Sequence, residues 1–173
     1  SLAKENGVTL AVGFIERFNP AFQRLSKEIK KEKIIGINFK RLSPLPARIT
    51  DTNVIYDMLL HDLDLLLSLV PGEIIRIEAR GGKIKTDLLD RVEVKFTHQS
   101  GVISSLEASR DFSIKSRKIT VTTERRILEV DLLKKCLYIR NLASVIPSVI
   151  PVAQKDQITE EIKDFALAIK KNH

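Results

Sequence analysis

Cysteine is almost absent from this 173-residue chain: Cys136 stands alone, which excludes an intrachain disulfide and any cysteine-built zinc site. Tryptophan is missing and aromatic residues make up 5%, so a base-stacking platform for nucleic acid is poorly supplied. No apolar run reaches the roughly 18 to 20 residues that a membrane span needs. Ser1–Gly7 is polar and charged and has no signal-peptide core. The glycines, at 7, 13, 36, 72, 81, 82 and 101, form neither G-x-G-x-x-G nor a Walker A loop. The chain therefore lacks the glycine-rich turn that cradles a phosphate on a helix N-terminus. These features fit a reducing cytoplasm, with no membrane and no metal site.

Hydrophobic residues reach 43%, enough for a real core. The net charge is +7, with basic clusters at Lys27–Lys33, Lys115–Lys118, Arg125–Arg126 and Lys134–Lys135. Acidic residues are interleaved with these, so solvated faces explain them better than nucleic acid does. An anionic small-molecule substrate is a further reading.

Ser1–Asn6 reads as the tail of a helix, with Gly7 just past its end. Val8–Phe14 is a short apolar run of the kind found in buried parallel strands. Asn19 or Pro20 opens a helix with Phe22, Leu25 and Ile29 on its apolar side. Ile34–Leu42 is a strand, and the proline-bearing Ser43–Asn53 is a loop. Thr52 or Asn53 then caps a helix through Leu69. Strands follow at Glu73–Arg80, Arg91–His98, Val102–Arg110, Ile114–Thr123, Arg126–Asp131 and Cys136–Arg140. Val92, Val94 and Phe96 alternate with Arg91, Glu93 and Lys95, and Ile75, Ile77 and Ala79 with Arg76, Glu78 and Arg80. One sheet face should pack on helices while the other stays charged and open. Ser144–Pro151 ("SVIPSVIP") reads as an extended linker. Gln157–Lys171 is a helix with Ile158, Ile162, Phe165, Ala166 and Ile169 on one side. The fold class is α+β, an open and mostly antiparallel sheet with helices on one face.

The helix at Val54–Leu69 carries a narrow polar stripe. Asp57, His61, Asp64 and Ser68 fall at i, i+4, i+7 and i+11 among leucines. Histidine ordinarily titrates near about 6.5, so it suits acid–base work at neutral pH. Leu59, Leu63 and Leu66 should face the sheet. Asp62 points about 100° away from His61.

"VGFIERFNPAF" (Val12–Phe22) followed by "DMLLHDLDLL" (Asp57–Leu66) resembles the Gfo/Idh/MocA family of nicotinamide-dependent sugar oxidoreductases. "RLSPLPARITD" (Arg41–Asp51) extends the resemblance to the UDP-N-acetylglucosamine 3-dehydrogenase-like branch. The resemblance implies a Rossmann domain followed by a substrate domain. Residues 1–18 would be the end of the nucleotide-binding domain, including its last strand, and residues 19–173 the substrate and oligomerisation domain. His61 and Asp57 would be catalytic, with His61 taking the hydroxyl proton alone or sharing that task with a lysine of an E-K-P motif. That motif has no match in the chain. Arg17, Asn19, Arg41, Arg48 and Asp64 would bind the sugar or nucleotide-sugar, Arg41 and Arg48 by guanidinium–phosphate pairing.

NAD or NADP would serve the full-length protein, with none bound tightly here. The chain then reads as a fragment, inactive alone, of a sugar dehydrogenase that self-associates through its open sheet face. The alternative is a non-catalytic oligomerisation or binding module of the same fold, which has no need of Asp57 and His61 in one cleft.

Overall fold

A computed structural model describes residues 2–47, 51–144 and 146–171. Its framework is one sheet of eight strands: β1 (Ile34–Leu42), β2 (Ile74–Gly82), β3 (Arg91–His98), β4 (Ile103–Ser109), β5 (Ser116–Thr123), β6 (Arg126–Asp131), β7 (Cys136–Asn141) and β8 (Ser148–Ile150). Their order is β2-β3-β4-β1-β5-β6-β7-β8. Among the described strands only β1 and β4 run parallel; the other neighbouring pairs are antiparallel. A parallel pair needs a long crossover. Here it contains the polar-striped helix, which is thereby laid against the middle of the sheet.

Among the described residues four α-helices accompany the sheet: α1 (Leu2–Glu5), α2 (Pro20–Ile29), α3 (Leu60–Leu69) and α4 (Gln157–Lys170). Gly7 lies just past α1 at φ +62°, the left-handed conformation that ends helices. Ala21, Phe22, Leu25 and Ile29 give α2 a buried face, which packs on β6 and β7. α3 packs on β1 and β4 with Leu65 and Leu66 fully buried. Leu59 is buried and Leu63 partly so. In the middle of the sheet Phe39 sits between Leu106 and Ile119 in register, and all three are shut from water.

The opposite face is open and charged. Arg80 pairs with Glu93 at 2.5 Å, Arg91 with Glu107 at 2.8 Å and Lys118 with Glu129 at 2.9 Å. Arg76 also pairs with Glu78.

Four expectations change. Val8–Phe14 is not a strand: its backbone is irregular, and Val8, Leu10 and Val12 are exposed. A β-prone run forms a ladder only beside another strand, and none of the described strands lies along it. Ile75 and Ile77 are exposed despite the alternation, because β2 is an edge strand beyond the helices' reach and its register slips between Ile74 and Arg76. Part of "SVIPSVIP" pairs with β7 as the short edge strand β8, where proline is tolerated next to a ladder. The apolar side of α4 packs little: Ile158, Ile162 and Phe165 are exposed.

One buried ionic clasp steadies the site from behind. Asp90, at the entrance to β3, accepts the backbone N–H groups of Ile84, Lys85 and Thr86 at 2.7–2.9 Å. It also accepts the Thr86 hydroxyl and one Arg110 nitrogen. Burial alone would raise the Asp90 carboxyl, but these bonds hold it well below the usual carboxylate range. Arg110 in turn donates to the Thr52 carbonyl at 2.9 Å, which ties the clasp to the start of the striped helix.

Candidate active site

The striped helix does not begin as a regular α-helix. Asn53 caps it, its side chain accepting from the N–H groups of Ile55 at 3.0 Å and Tyr56 at 3.3 Å. Ile55–Leu59 then forms a π turn, in which the Leu60 N–H bonds back to Ile55. Such widened turns are uncommon and recur at functional sites. Asp57 lies within the turn and His61 just beyond it.

Both line a cleft of about 260 Å³ with Glu16, Arg41, Lys115 and Arg117. Its walls are the 3₁₀ turn Ile15–Phe18, the end of β1, the striped helix and the entry to β5. His61 is half-buried, and its Nδ1 is shut from water with no hydrogen-bond partner among the described residues. A buried polar atom left unpaired costs about 1–3 kcal/mol. His98 also leaves Nδ1 unpaired, but it lies in the core and its Nε2 bonds Ser104 at 2.9 Å. Burial holds its imidazole below the ordinary value. The distinction of His61 is that it lines an open cleft together with a carboxylate, Asp57.

A larger hollow of about 440 Å³ lies on the open sheet face. Arg80, Glu93 and Glu107 line it, and their charges are already paired. It offers less unspent chemistry than the cleft.

Residues 38–129 match a family described as the GFO/IDH/MocA C-terminal domain. This chain belongs to the Gfo/Idh/MocA family. It is 31% identical over 180 residues to UDP-N-acetylglucosamine 3-dehydrogenase of Acidithiobacillus ferrooxidans, covering 97% of this chain and 56% of that protein. A solved structure of that enzyme matches with a TM-score of 0.87 at 31% identity, over 99% of this chain and 56% of that one. An uncharacterized oxidoreductase of Bacillus subtilis is 24% identical over 120 residues, 62% of this chain and 35% of that protein. A 3-ketoreductase of Actinomadura kijaniata, solved with TDP-benzene and NADP, matches at a TM-score of 0.80 and 14% identity over 99% of this chain and 56% of that one. That likeness shows the shared fold. The chain spans about half the length, or less, of the curated relatives it matches.

In this Gfo/Idh/MocA domain the polar stripe separates into distinct tasks. Asp57 and His61 face the cleft. Asp64 is buried and takes a two-point contact from Arg17, Nε to Oδ2 at 2.7 Å and Nη2 to Oδ1 at 2.5 Å. That pair ties the 3₁₀ turn to α3, and neither residue lines the cleft. Ser68 returns its hydroxyl to the Leu65 carbonyl at 2.7 Å.

Asn19 is buried as the cap of α2. Its side chain accepts the Ala21 N–H at 3.0 Å and donates to the Leu132 carbonyl and Glu16. Arg41 is not a surface arginine. It is 3% exposed and bonds Asp62 at 2.6–3.1 Å and Glu16 at 3.1 Å. Its guanidinium is therefore occupied by carboxylates. Arg48 lies outside the described residues.

Glu16 was not singled out from the sequence, yet it is the hub. One oxygen accepts from both Arg41 and Arg117, and the other from Asn19 and Gln157. Burial would push its carboxyl up, but the charges of Arg41 and Arg117, with hydrogen bonds from Arg41 and Asn19, carry it below the usual range. Asp62 has one arginine, and there burial prevails and raises the carboxyl. Lys115 and Arg117 were also missed. Among the described residues no His, Cys, Asp and Glu group of three or more is placed to hold a metal ion. No described helix is long and apolar enough to cross a membrane.

Proposed function

We propose that this chain is the substrate-binding part of a nicotinamide-dependent oxidoreductase that takes hydride from a secondary alcohol of a sugar, specifically a nucleotide-linked sugar. The observation that carries this reading is the meeting of His61 and Asp57 in one cleft behind a π turn. The similarity to a UDP-N-acetylglucosamine 3-dehydrogenase supports the substrate class.

The cleft groups suit a sugar hydroxyl, and no glycine-rich turn opens a helix there to seat a dinucleotide. NAD or NADP is accordingly assigned to parts of the protein beyond these 173 residues. When bound, the nicotinamide supplies the acceptor for hydride. The work of this chain is the proton. With the substrate hydroxyl against His61, the imidazole accepts its proton as a general base. Asp57 orients that hydroxyl or the charged imidazolium. Residues 1–18 are assigned to the end of the cofactor domain and 19–173 to the substrate domain. The exposed Val8, Leu10 and Val12 support this, since they form the kind of run that seeks a partner strand. The open face, with charges of both signs in rows, is assigned to self-association across a two-fold axis.

The test is an assay of the full-length gene product with NAD or NADP and UDP-N-acetylglucosamine beside uncharged sugars. Reduction of the cofactor with the nucleotide-sugar is expected. No reduction with any sugar alcohol overturns the proposal.

A further inference from the structure

We infer that Lys115 and Arg117 form an anion subsite that holds the phosphate of the substrate opposite His61. This rests on the reading of the cleft as the substrate site. The two walls of the cleft carry different chemistry. Asp57 and His61 project from the helix side, Lys115 and Arg117 from the entry to β5. The other charged lining groups, Glu16 and Arg41, are each 4% exposed or less and are turned onto one another and onto the buried Asp62 behind them. The charged groups open to a ligand on the β5 side are thus two cations.

The sheet register makes this pairing costly unless it is used. Arg41 of β1 lies directly beside Arg117 of β5, and like charges at opposed positions destabilise a sheet. Glu16 beneath them offsets part of the repulsion, accepting from Arg117 Nη1 at 2.9 Å. That is the only side-chain hydrogen bond of Arg117 among the described residues, which leaves its Nε and Nη2 donors available. Lys115 is exposed and has no ion pair among the described residues. A guanidinium with two donors unspent, beside a free ammonium, matches the oxygens of a phosphate or diphosphate. A sugar whose hydroxyl meets His61 and whose phosphate meets this pair is fixed at both ends. The subsite would also favour anionic over neutral sugars.

The role given at first to Arg41 thereby passes to its neighbour across the sheet. The sequence placed Lys115–Lys118 in one basic cluster, but strand alternation divides it: Lys118 points to the open face and pairs with Glu129.

The test is calorimetric titration of the 173-residue chain with inorganic pyrophosphate and with UDP, for wild type, Lys115→Gln and Lys118→Gln. Both probes should bind saturably to the wild type. Lys115→Gln should weaken each by roughly tenfold or more, the worth of one charge-assisted contact. Lys118→Gln should leave both unchanged. Arg117→Gln should weaken binding comparably while circular dichroism stays that of the folded chain. Absence of saturable binding overturns the subsite, as does an unchanged Lys115→Gln or an equal loss in Lys115→Gln and Lys118→Gln. No turnover enters this test. A parent protein that oxidises only neutral sugars, with Lys115→Gln silent, removes the subsite and keeps the dehydrogenase. Lysine-dependent binding by a parent that reduces no cofactor does the reverse.

Discussion

Replacing His61 with alanine in the full-length protein is expected to lower kcat for the sugar alcohol by roughly 10²- to 10⁴-fold. The fold should survive. The His61 side chain is half-buried, its Nδ1 has no hydrogen-bond partner among the described residues, and it is outside the buried hydrophobic cluster. Removing it deletes little that supports packing. The loss should fall on kcat rather than KM, because a base acts in the transition state and contributes little to ground-state binding. Asp57→Asn separates two versions of the mechanism. A modest loss means that Asp57 orients the imidazole; a loss near that of His61→Ala means that it holds the reacting hydroxyl. Paired kinetics and thermal melts decide the matter. A lowered Tm with an unchanged rate per folded molecule would make His61 structural.

The second large effect concerns stability. Arg41→Ala should cost about 3–5 kcal/mol, the penalty for breaking a buried ion pair from one side. The arginine faces two carboxylates, Asp62 and Glu16, each 6% exposed or less in its side chain. Without it Asp62 stays buried and loses its arginine, while Glu16 keeps Arg117 as its one cation. Lys40→Ala, one residue earlier, should change stability by no more than about 0.5 kcal/mol. Lys40 points to the other face, 52% exposed, and meets Glu107 at 3.5 Å. Urea unfolding of the two variants reads the contrast, and similar losses in both would refute the buried network.

That contrast also shows how far the site could be read from the sequence. Ile37, Phe39 and Arg41 share one parity along β1, as Arg117, Ile119 and Val121 do along β5. That parity puts both arginines on the helix-covered face, although the family resemblance gives Arg41 to a phosphate and the sequence groups Lys115–Lys118 as one basic cluster. An arginine there must find a carboxylate, so a hidden acid was implied. Its identity was not, because Glu16 lies in a short 3₁₀ turn with no periodicity of its own. The strands themselves were legible: β1, β3 and β6 have the expected bounds, since turn residues and alternation both mark them.

Sequence periodicity failed where partners decide structure. Val8–Phe14 has the composition of a strand but no strand beside it. Ile158, Ile162 and Phe165 have helical spacing but little to pack on. The i, i+4 spacing of Asp57 and His61 did place them at one cleft. It could not foresee the π turn, since hydrophobic spacing does not mark where a helix widens. Nor could it assign Asp64 to Arg17, a contact between residues 47 positions apart.

In the proposed function the substrate lies between His61 and the entry to β5. The most direct measurement is chemical-shift mapping of the 173-residue chain during titration with UDP-N-acetylglucosamine. The amide signals of Asp57, Met58 and His61 and those around Lys115 and Arg117 should move together with one saturation curve, while those of Glu78, Arg80 and Lys95 on the open face stay still. Movement confined to the open face, with the His61 region silent, would contradict that placement.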